Sequence, residues 1–477
     1  MLYNLGIKLY LFAAQVAWMF NHESKAGKFY EGRVGLLRKI EDEVKTDKPI
    51  IWFHCSSVGE FEQARPIIEW YRTARKDWKI LLTFFSPSGY ELRKDYSYAD
   101  WVYYLPVDTK HNAKEFIRIV NPRKAVFVKY EFWYNYLKCL RNNGTESYLI
   151  SAIFRPGQNF FKPWGGFFRE MLHCFNHIFV QNKESFELLS SIGLKDRLIL
   201  GGDTRFDRVA TVTSHPKDFP QIDKFVQEAT IMIAGSSWPS DEVLLFPAME
   251  MCCGKQVSQV LSQYSTGDGS FISPSGKSYG PLPAVQKSAA LLDKARKVQK
   301  WSIEYSDGMA SNKAVLPERR IKVIIAPHEM PAGRIEAMEK RCSQWGVIKF
   351  SQLDSLSDEE IRNANVLIVD AIGYLSSIYK YADFSFVGGG FIPSGIHNIL
   401  ESATYGAPVC FGPTYRKFQE AHDAIAIGGA VPVIRPEDLC GTILHYLSAD
   451  NAVVAGALLQ KYVKENLGAT EKVIAML

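Results

Sequence analysis

The sequence predicts an α/β protein of two doubly wound, Rossmann-like domains facing a cleft, with an N-terminal membrane-associated helix. Three observations predict it. The chain has 477 residues, enough for two or three cores; apolar runs alternate with amphipathic segments; and the first twenty residues are mostly apolar. With 47% hydrophobic and 22% charged residues, the composition excludes a disordered chain.

Charge and cysteine content narrow the class of protein. Lys and Arg number 56 against 51 Asp and Glu, a net charge of +5, without the strongly basic stripe of a dedicated nucleic-acid binder. The 8 cysteines form no CxxC pair and no zinc-type Cys/His spacing. We therefore expect no nucleic-acid partner, no metal site, and reduced thiols in a cytosolic compartment.

The segment MLYNLGIKLYLFAAQVAWMF is apolar apart from Asn4, Lys8 and Gln15. Its length is near the lower limit for a membrane span, and it ends in bulky residues rather than in the small-residue cleavage site of a secretory signal. We expect an uncleaved anchor over residues 1–22, either a tilted span or a helix in the headgroup layer. The structural alternative is a helix packed on the first domain.

Strand-loop-helix units follow one another through the first half of the chain. The apolar run IIWFHC enters the polar loop SSVGE, and a helical pattern follows; the same arrangement recurs in KILLTFFSPSGYELRK, AVFVKYEFWYNYLKCL, SYLISAIFRPG and HIFVQNKESFELLSSIGL. Short apolar strands separated by helices predict a parallel sheet covered on both faces, with ligands bound at the carboxyl ends of the strands. This domain is expected to span residues 23–212.

A polar stretch, TVTSHPKDFPQIDK, marks a domain boundary near residues 210–225. The strand pattern resumes in ATIMIAGSS, IKVIIAPHE, NVLIVDAIG, FSFVGGGF and APVCFGP, which predicts a second domain over 225–440 and a helical segment over 441–477. A Ser/Gly-rich surface insertion is expected over about 254–313, with a basic helical piece at 284–301.

Six motifs occur in an order that resembles the 3-deoxy-D-manno-octulosonic acid (Kdo) transferases of lipopolysaccharide synthesis. They are HCSSVGE at 54–60, YEFWYN at 130–135, GDTRFD at 202–207, AGSS at 234–237, APHE at 326–329, and FVGG at 386–389 with GIHNILE at 395–401. The resemblance extends from the N-terminal segment to about residue 430, apart from the insertion.

The resemblance implies a GT-B fold with a CMP-Kdo donor on the C-terminal domain. A lipid A precursor (lipid IVA) would bind the N-terminal domain at the cytoplasmic face of the inner membrane. The family's candidate base is a glutamate just before an Arg-x-Gly motif; here Glu31 precedes Gly32-Arg33-Val34-Gly35 and is displaced by one position. We expect Glu31 to be the general base, the ordinary alternative being a solvated glutamate in a turn. No cofactor is expected, because CMP-Kdo is a substrate and only one phosphate leaves.

For the donor, Gly388 and Gly389 follow a buried strand, where glycine lets a ligand approach the backbone. The segment from Gly395 is predicted to start a helix whose first N–H groups suit a phosphate. Asn398 and Glu401, three apart, are predicted to share a face of that helix, with Glu401 accepting from ribose hydroxyls. The alternative for Glu401 is a first-turn glutamate that stabilises the helix dipole.

Four further residues complete the expected donor site: Ser236 in a strand-to-helix loop, His328 after the strand IKVIIA, and Ile372 and Gly373 as backbone contacts to the base. The sequence departs from the family twice here. No arginine stands between Pro327 and His328, so Arg334 or Arg205 is expected to balance the phosphate; and Tyr374 replaces a glutamate.

The acceptor side is expected to involve residues of the motif loops in the first half: Ser57, Gly59, Glu60, Glu131 and Arg205. Glu60 would also stabilise a helix start. Two rival classes stay open at this point. One is another GT-B nucleotide-sugar enzyme, a UDP-sugar transferase or 2-epimerase; the other is a non-catalytic relative acting as a membrane-bound scaffold.

Overall fold

The chain folds into two compact units in a computed structural model that describes residues 2–266, 270–272, 277–279, 318–447 and 450–477. Unit 1 comprises residues 1–208 and 466–477, and unit 2 comprises residues 209–465. Each unit contains a seven-stranded parallel sheet, so the predicted pair of parallel α/β domains is confirmed.

The sheet of unit 1 has the strand order β3-β2-β1-β4-β5-β6-β7. Its strands are β1 (Ile50–Cys55), β2 (Lys79–Phe84), β3 (Trp101–Tyr104), β4 (Lys124–Val128), β5 (Glu146–Ala152), β6 (His177–Val180) and β7 (Leu198–Leu200). The helices are α1 (Leu2–Phe20), α2 (Lys25–Glu31), α3 (Leu36–Glu43), α4 (Val58–Ala74), α5 (Pro87–Arg93), α6 (Lys110–Val120), α7 (Tyr134–Asn142), α8 (Gly166–Leu172), α9 (Lys183–Ser190) and α10 (Thr204–Ser214), which runs into unit 2.

Apolar residues bury both faces of this sheet, which is why its strands read as continuous hydrophobic runs. Along β1, Trp52 faces one core layer, whereas Ile51 and Phe53 face the other. The chain leaves β1 toward β2 on one side and later returns to β4 on the other. The carboxyl ends of β1 and β4 therefore form the switch point where doubly wound sheets bind ligands.

One face of α1 packs on unit 1, as the structural alternative predicted. Ala14 is buried against Phe29 and Val107. The Tyr3 hydroxyl donates to Asp108 at 2.5 Å, and Asn135 Nδ2 donates to the Asn4 side-chain oxygen at 2.9 Å. Burial raises the pKa of Asp108 to about 6, although Tyr3 and the amides of residues 135 and 136 oppose that rise.

The opposite face of α1 is apolar and exposed. Its large side chains are between 55% and 87% exposed: Leu5, Leu9, Phe12, Met19 and Phe20. Among the described helices, none alone combines the length and apolar composition of a membrane span; Pro436–Leu447 and Asn451–Ile474, bent by 94°, meet those criteria only as a pair.

The sheet of unit 2 has the order β12-β13-β11-β8-β14-β15-β16. Its strands are β8 (Ala229–Ser237), β11 (Arg320–Pro327), β12 (Val347–Lys349), β13 (Val366–Ile368), β14 (Phe384–Val387), β15 (Val409–Phe411) and β16 (Ala430–Pro432); β9 (Phe271–Ile272) and β10 (Ser278–Tyr279) form a separate antiparallel pair. The helices are α11 (Pro220–Val226), α12 (Pro239–Cys252), α13 (Val257–Tyr264), Arg334–Cys342, Asp358–Asn363, Leu375–Ile378, Leu400–Thr404, Gln419–Ala426, Pro436–Leu447 and Asn451–Glu465, with Ala469–Ile474 returning to unit 1. Short 3₁₀ turns occur at Asn159–Phe161, Lys195–Arg197, Ser343–Trp345, Phe350–Ser355 and Tyr379–Tyr381.

Two expectations about the second half change. The expected insertion from residue 254 begins with α13, whose Val257, Val260 and Tyr264 belong to the core of unit 2, so these residues are not surface loop. Most of the insertion, including the basic piece at 284–301, lies outside the described residues. The expected C-terminal segment 441–477 is divided, because residues 466–477 belong to unit 1, where Tyr148 donates to the Met476 carbonyl at 2.9 Å.

A buried lysine joins two helix ends in unit 2. Lys322 on β11 donates to the carbonyl of Phe225 at 2.9 Å and to that of Arg362 at 2.7 Å, near the C-termini of α11 and of the helix Asp358–Asn363. Such carbonyls carry partial negative charge. Burial lowers the pKa of Lys322 to about 8.

We expect Lys322→Ala to destabilise the protein by about 2–4 kcal/mol, because it leaves the buried carbonyl of Phe225 and the partly buried carbonyl of Arg362 without this donor. The matched control is Lys224→Ala. Lys224 joins the same two helices through Asp358 at 2.6 Å on the surface, so its removal should cost less than about 1 kcal/mol. Urea unfolding of the two variants measures the difference, and equal losses would contradict this account of Lys322.

Candidate functional site

A buried hydrogen-bond network occupies the switch point of unit 1. His54, on β1, contacts the Thr83 hydroxyl through Nδ1 at 2.9 Å and the Glu131 carboxylate through Nε2 at 3.1 Å. Trp133 Nε1 donates to the same carboxylate oxygen, Oε2, at 2.6 Å, and Trp52 Nε1 donates to Thr83 Oγ1 at 2.8 Å. His54 and Thr83 are fully buried. The network therefore links the ends of β1, β2 and β4.

The surrounding donors assign the tautomer of His54. Because Trp52 donates to the Thr83 hydroxyl, the Thr83 proton is available to His54 Nδ1 at 2.9 Å; its other acceptor, the Phe53 carbonyl, lies 3.5 Å away. Trp133 Nε1 also lies 3.1 Å from His54 Nε2, but its shorter contact, at 2.6 Å, is with Glu131 Oε2. We therefore assign the His54 proton to Nε2, which donates it to Glu131. The carboxylate oxygen Oε2 thus receives two N–H donors.

The backbone before Glu131 is strained. Lys129, the residue after β4, has φ +59°, a left-handed conformation that a residue with a side chain adopts at a cost. Ser151 on the neighbouring β5 has φ +50°. Strained residues cluster at functional positions, so this loop is a good candidate for one.

Arg33 fixes the loops around Glu31. Its guanidinium donates to the carbonyls of Phe29 at 2.8 Å, Leu105 at 2.8 Å and Phe85 at 2.7 Å. Burial lowers the pKa of Arg33 to about 10. Glu31 itself is the last residue of α2 and is exposed. The one-residue displacement therefore leaves the guanidinium buried and the carboxylate in solvent.

The loop after β1 has a structural role in addition to any binding role. Ser57 is the N-cap residue of α4, Gly59 and Glu60 lie in its first turn, and the Ser57 hydroxyl bonds the Glu60 carboxylate. An acid in a first turn stabilises the helix dipole.

Arg205 forms an ion pair within unit 1. Its guanidinium donates to Asp203 Oδ2 at 2.9 and 2.7 Å, while Gln63 donates to Asp203 Oδ1 at 2.8 Å. Burial would raise the pKa of Asp203, but Arg205 outweighs it and lowers that pKa to about 2. Arg205 therefore already has a partner for the charge that we expected it to offer a phosphate.

The switch point of unit 2 lies between β8 and β14, and Asp241 joins its two loops. Asp241 Oδ2 accepts the N–H of Gly389 at 2.9 Å and that of Trp238 at 2.8 Å. Burial raises the pKa of Asp241, and these N–H donors oppose the rise. Three buried oxygens of the loop have no hydrogen-bond partner in the described part of the chain: Ser237 Oγ, Ser240 Oγ and Asp241 Oδ1.

The glycines after β14 are required by packing within the protein. A side chain at Gly388 would collide with the Ser236 carbonyl and Asp241, and one at Gly389, where φ is +89°, with the Gly395 carbonyl. Their N–H groups bond the Gly235 carbonyl and Asp241. Ser236, at φ +54°, lies against this loop.

Three rings form a stack beside these loops. The Trp238 and His328 centroids are 4.9 Å apart and those of His328 and His397 are 4.0 Å apart. Trp238 Nε1 donates to His397 Nε2 at 2.9 Å, so the His397 proton is on Nδ1. Burial, and secondarily His328, lowers the pKa of His397 to about 4; burial also lowers that of His328.

The prediction that a helix starts at Gly395 is wrong. It begins at Leu400 and has five residues, because the intervening amides bond elsewhere: that of Ile396 to Thr414 and that of His397 to Gly388. Those N–H groups are not available to a phosphate as a helix terminus.

Asn398 and Glu401 therefore do not lie on one face of a helix, although their side chains are in contact. Asn398 precedes the helix Leu400–Thr404, where its Oδ1 accepts the Leu400 N–H at 3.1 Å and its Nδ2 donates to Glu401 at 3.3 Å. The two side chains meet as a turn residue and a first-turn residue, and not on the shared helix face that we predicted.

The expected base-binding loop is exposed at Ile372, which is 83% accessible, and turns at Gly373 with φ +89°. Tyr374, in place of the family's glutamate, packs on Phe350 with a centroid distance of 4.9 Å, and Lys217 Nζ lies 4.4 Å above its ring. Where the family has a glutamate, this chain thus has a tyrosine packed against an aromatic ring and a lysine.

Arg334 does not supply an unpaired charge either, since it forms an ion pair with the buried Glu242. Sequence reasoning did not identify Asp241, Trp238, Asp203 or His54 as site residues. His54 and Asp203 lie within quoted motifs and could have been found there. Trp238 and Asp241 could not, because their partners Gly389 and His397 are about 150 positions away.

Comparison with known proteins agrees with the motifs. Residues 29–208 match the family model described as 3-deoxy-D-manno-octulosonic-acid transferase. The chain is similar to 3-deoxy-D-manno-octulosonic acid transferases of Rickettsia felis (21% identity, 91% of this chain and 80% of the relative) and Aquifex aeolicus (22%, 82% and 83%). A structure titled as the S. aureus MnaA-UDP co-structure aligns over 89% of this chain and 95% of that chain, with a TM-score of 0.50 and 10% identity, a likeness of fold. The resemblance predicted from the six motifs is confirmed.

The low pKa of His397 predicts a pH dependence. Because its folded pKa of about 4 lies below the ordinary 6.5, the protonated form favours unfolding; stability from this group is complete above pH 6.5 and is lost as the pH falls to 4. His397→Asn should flatten the pH dependence of stability between pH 6.5 and 4, as measured by urea unfolding. His111→Asn, at an exposed position on α6, is the control, and a slope unchanged by His397→Asn would contradict the assignment.

Proposed function

We propose that this protein, which the comparisons relate to the Kdo transferases over most of its length, transfers Kdo from CMP-Kdo to a lipid A precursor, lipid IVA, in lipopolysaccharide synthesis. The observation that carries the proposal is the match of residues 29–208 to the family model, because that range contains the strained, hydrogen-bonded switch point of unit 1. The ordered motifs of unit 2 support it.

Unit 2 is proposed to bind the donor at its own switch point. Asn398 and Glu401 offer an amide and a carboxylate suited to ribose hydroxyls, and His328 lies at the ring stack near the loop of Ser236. The backbone at Ile372 and Gly373 is accessible for contact with the base. Gly388 and Gly389 shape this site through packing rather than through direct contact.

The proposed reaction is a displacement at the anomeric carbon of Kdo. An acceptor oxygen forms the new bond, the bond to the CMP phosphate breaks, and CMP leaves with the electron pair. The proton of the acceptor hydroxyl passes to the Glu31 carboxylate. Since a single phosphate departs, hydrogen bonds and histidine suffice in principle to stabilise it, and we propose no cofactor.

The acceptor is proposed to bind unit 1, close to the membrane surface. Its lipid chains would stay in the bilayer while α1 lies in the headgroup layer with Leu5, Leu9 and Phe12 directed into it. Arg38 and Lys39 are exposed on α3 and would favour an anionic surface. This would hold the enzyme at the cytoplasmic face of the inner membrane.

The decisive experiment is incubation of the protein with CMP-Kdo and lipid IVA, with products identified by mass. Addition of one or more Kdo units is expected. In parallel, CMP should raise the unfolding temperature and UDP should not. Stabilisation by UDP alone, without a Kdo product, would instead favour the UDP-sugar enzyme.

Glu31→Gln should lower turnover by about two to four orders of magnitude, the usual effect of losing a positioned general base. CMP affinity should not change, since Glu31 belongs to unit 1. Glu41→Gln, an exposed glutamate of α3, is the matched control. Activity of Glu31→Gln within a few-fold of the parent would remove Glu31 as the base.

The exposed face of α1 should control membrane binding. The double variant Leu9→Glu/Phe12→Glu should lose at least about tenfold in affinity for vesicles containing anionic phospholipid, because two charges replace apolar contacts. Its thermal stability should be unchanged, since both side chains are exposed. Val243→Glu/Ile434→Glu, at exposed apolar positions of unit 2, is the control; equal binding by all three proteins would disprove the role of α1.

A further inference from the structure

We propose that Glu131 binds a hydroxyl group of the acceptor and that His54 is the residue that positions it. The inference rests on the proposed function, because it takes the acceptor to be a glycolipid with free sugar hydroxyls. It concerns a different carboxylate from the proposed base, Glu31.

The two oxygens of Glu131 have different environments. Oε2 accepts from His54 at 3.1 Å and from Trp133 at 2.6 Å. Oε1 has no hydrogen-bond partner among the described residues. Unlike the unpaired oxygens of Ser237 and Asp241, it retains some solvent exposure. One oxygen is therefore held by the protein while the other remains open to a donor from outside.

Rigid neighbours fix the direction of this carboxylate. His54 is held from behind by Thr83, which is held by Trp52. The Trp133 ring lies 4.5 Å from that of Phe85, centroid to centroid. A carboxylate whose direction is fixed in this way, at the ends of adjacent strands at a switch point, is typical of a binding site rather than of a core contact.

The backbone supports the same conclusion. A nearly buried carboxylate gives little net stability even when it is paired, so burial alone does not explain the arrangement. Lys129, two residues earlier, adds conformational strain. The burial of the carboxylate and the strain at Lys129 both cost free energy, and both are explained if the open oxygen accepts a hydrogen bond from a ligand.

The chemistry of the open oxygen selects the ligand group. An ionised carboxylate only accepts hydrogen bonds, so it binds an O–H or N–H group and repels a phosphate. The lipid A precursor carries both hydroxyls and phosphates. Glu131 would therefore orient the acceptor with a hydroxyl-bearing part of the sugar toward β1 and β4.

The test is a set of steady-state measurements with lipid IVA in detergent micelles and CMP-Kdo. Glu131→Gln and His54→Phe should each raise KM for lipid IVA at least tenfold, with KM for CMP-Kdo within twofold of the parent. His54→Gln, whose amide N–H can replace Nε2–H, should restore most of the loss. A merely structural His54 would not give this split or this rescue.

Glu69→Gln, a glutamate of α4 paired with Arg65, is the matched control and should behave as the parent. Unchanged KM for lipid IVA in folded Glu131→Gln would overturn the proposal, as would equal effects on both substrates. Equilibrium binding of lipid IVA without donor is measured as well. If the parent makes no Kdo product, the proposed function fails. The binding measurement then tests Glu131 separately, because a Glu131→Gln variant that binds lipid IVA as tightly as the parent does would also overturn the role of Glu131.

Discussion

The buried guanidinium of Arg33 is the contact on which the arrangement of unit 1 depends. Within the described residues it has no carboxylate partner. Its N–H groups donate to three backbone carbonyls, one in α2 and one in each of the loops after β2 and β3. Phe29 lies 3.7 Å from it, centroid to guanidinium carbon. A lysine could not reach three carbonyls in a plane, because only the guanidinium has donors in a fixed fork.

This contact connects α1 to the proposed acceptor site. Phe29 and Phe85 pack in the same cluster as the inner face of α1, and the Phe85 ring contacts Trp133, which donates to Glu131. Tyr3 and Asn4 of α1 reach Asp108 and Asn135 in the same region. The inner face of α1 and the Glu131 carboxylate are thus connected through one series of packed and hydrogen-bonded side chains.

Much of the fold could be predicted because its strands are buried on both faces and so appear as apolar runs. The motifs also drew attention to Glu131, Asn398 and Glu401, whose roles in a site remain predictions. The start of the helix at Leu400 could not be predicted, since the amides before it bond to strands distant in sequence. Nor could the role of Gly388, which depends on the close approach of Ser236 and Asp241.

The charges of unit 2 follow a pattern that only the structure reveals. Arg334 is paired with Glu242, and the ring stack of Trp238, His328 and His397 is neutral at physiological pH, since burial lowers the pKa of both histidines. A phosphate at this stack would meet N–H donors rather than a fixed cation. Its negative charge would raise the pKa of the nearby His328, so phosphate binding and protonation would reinforce each other.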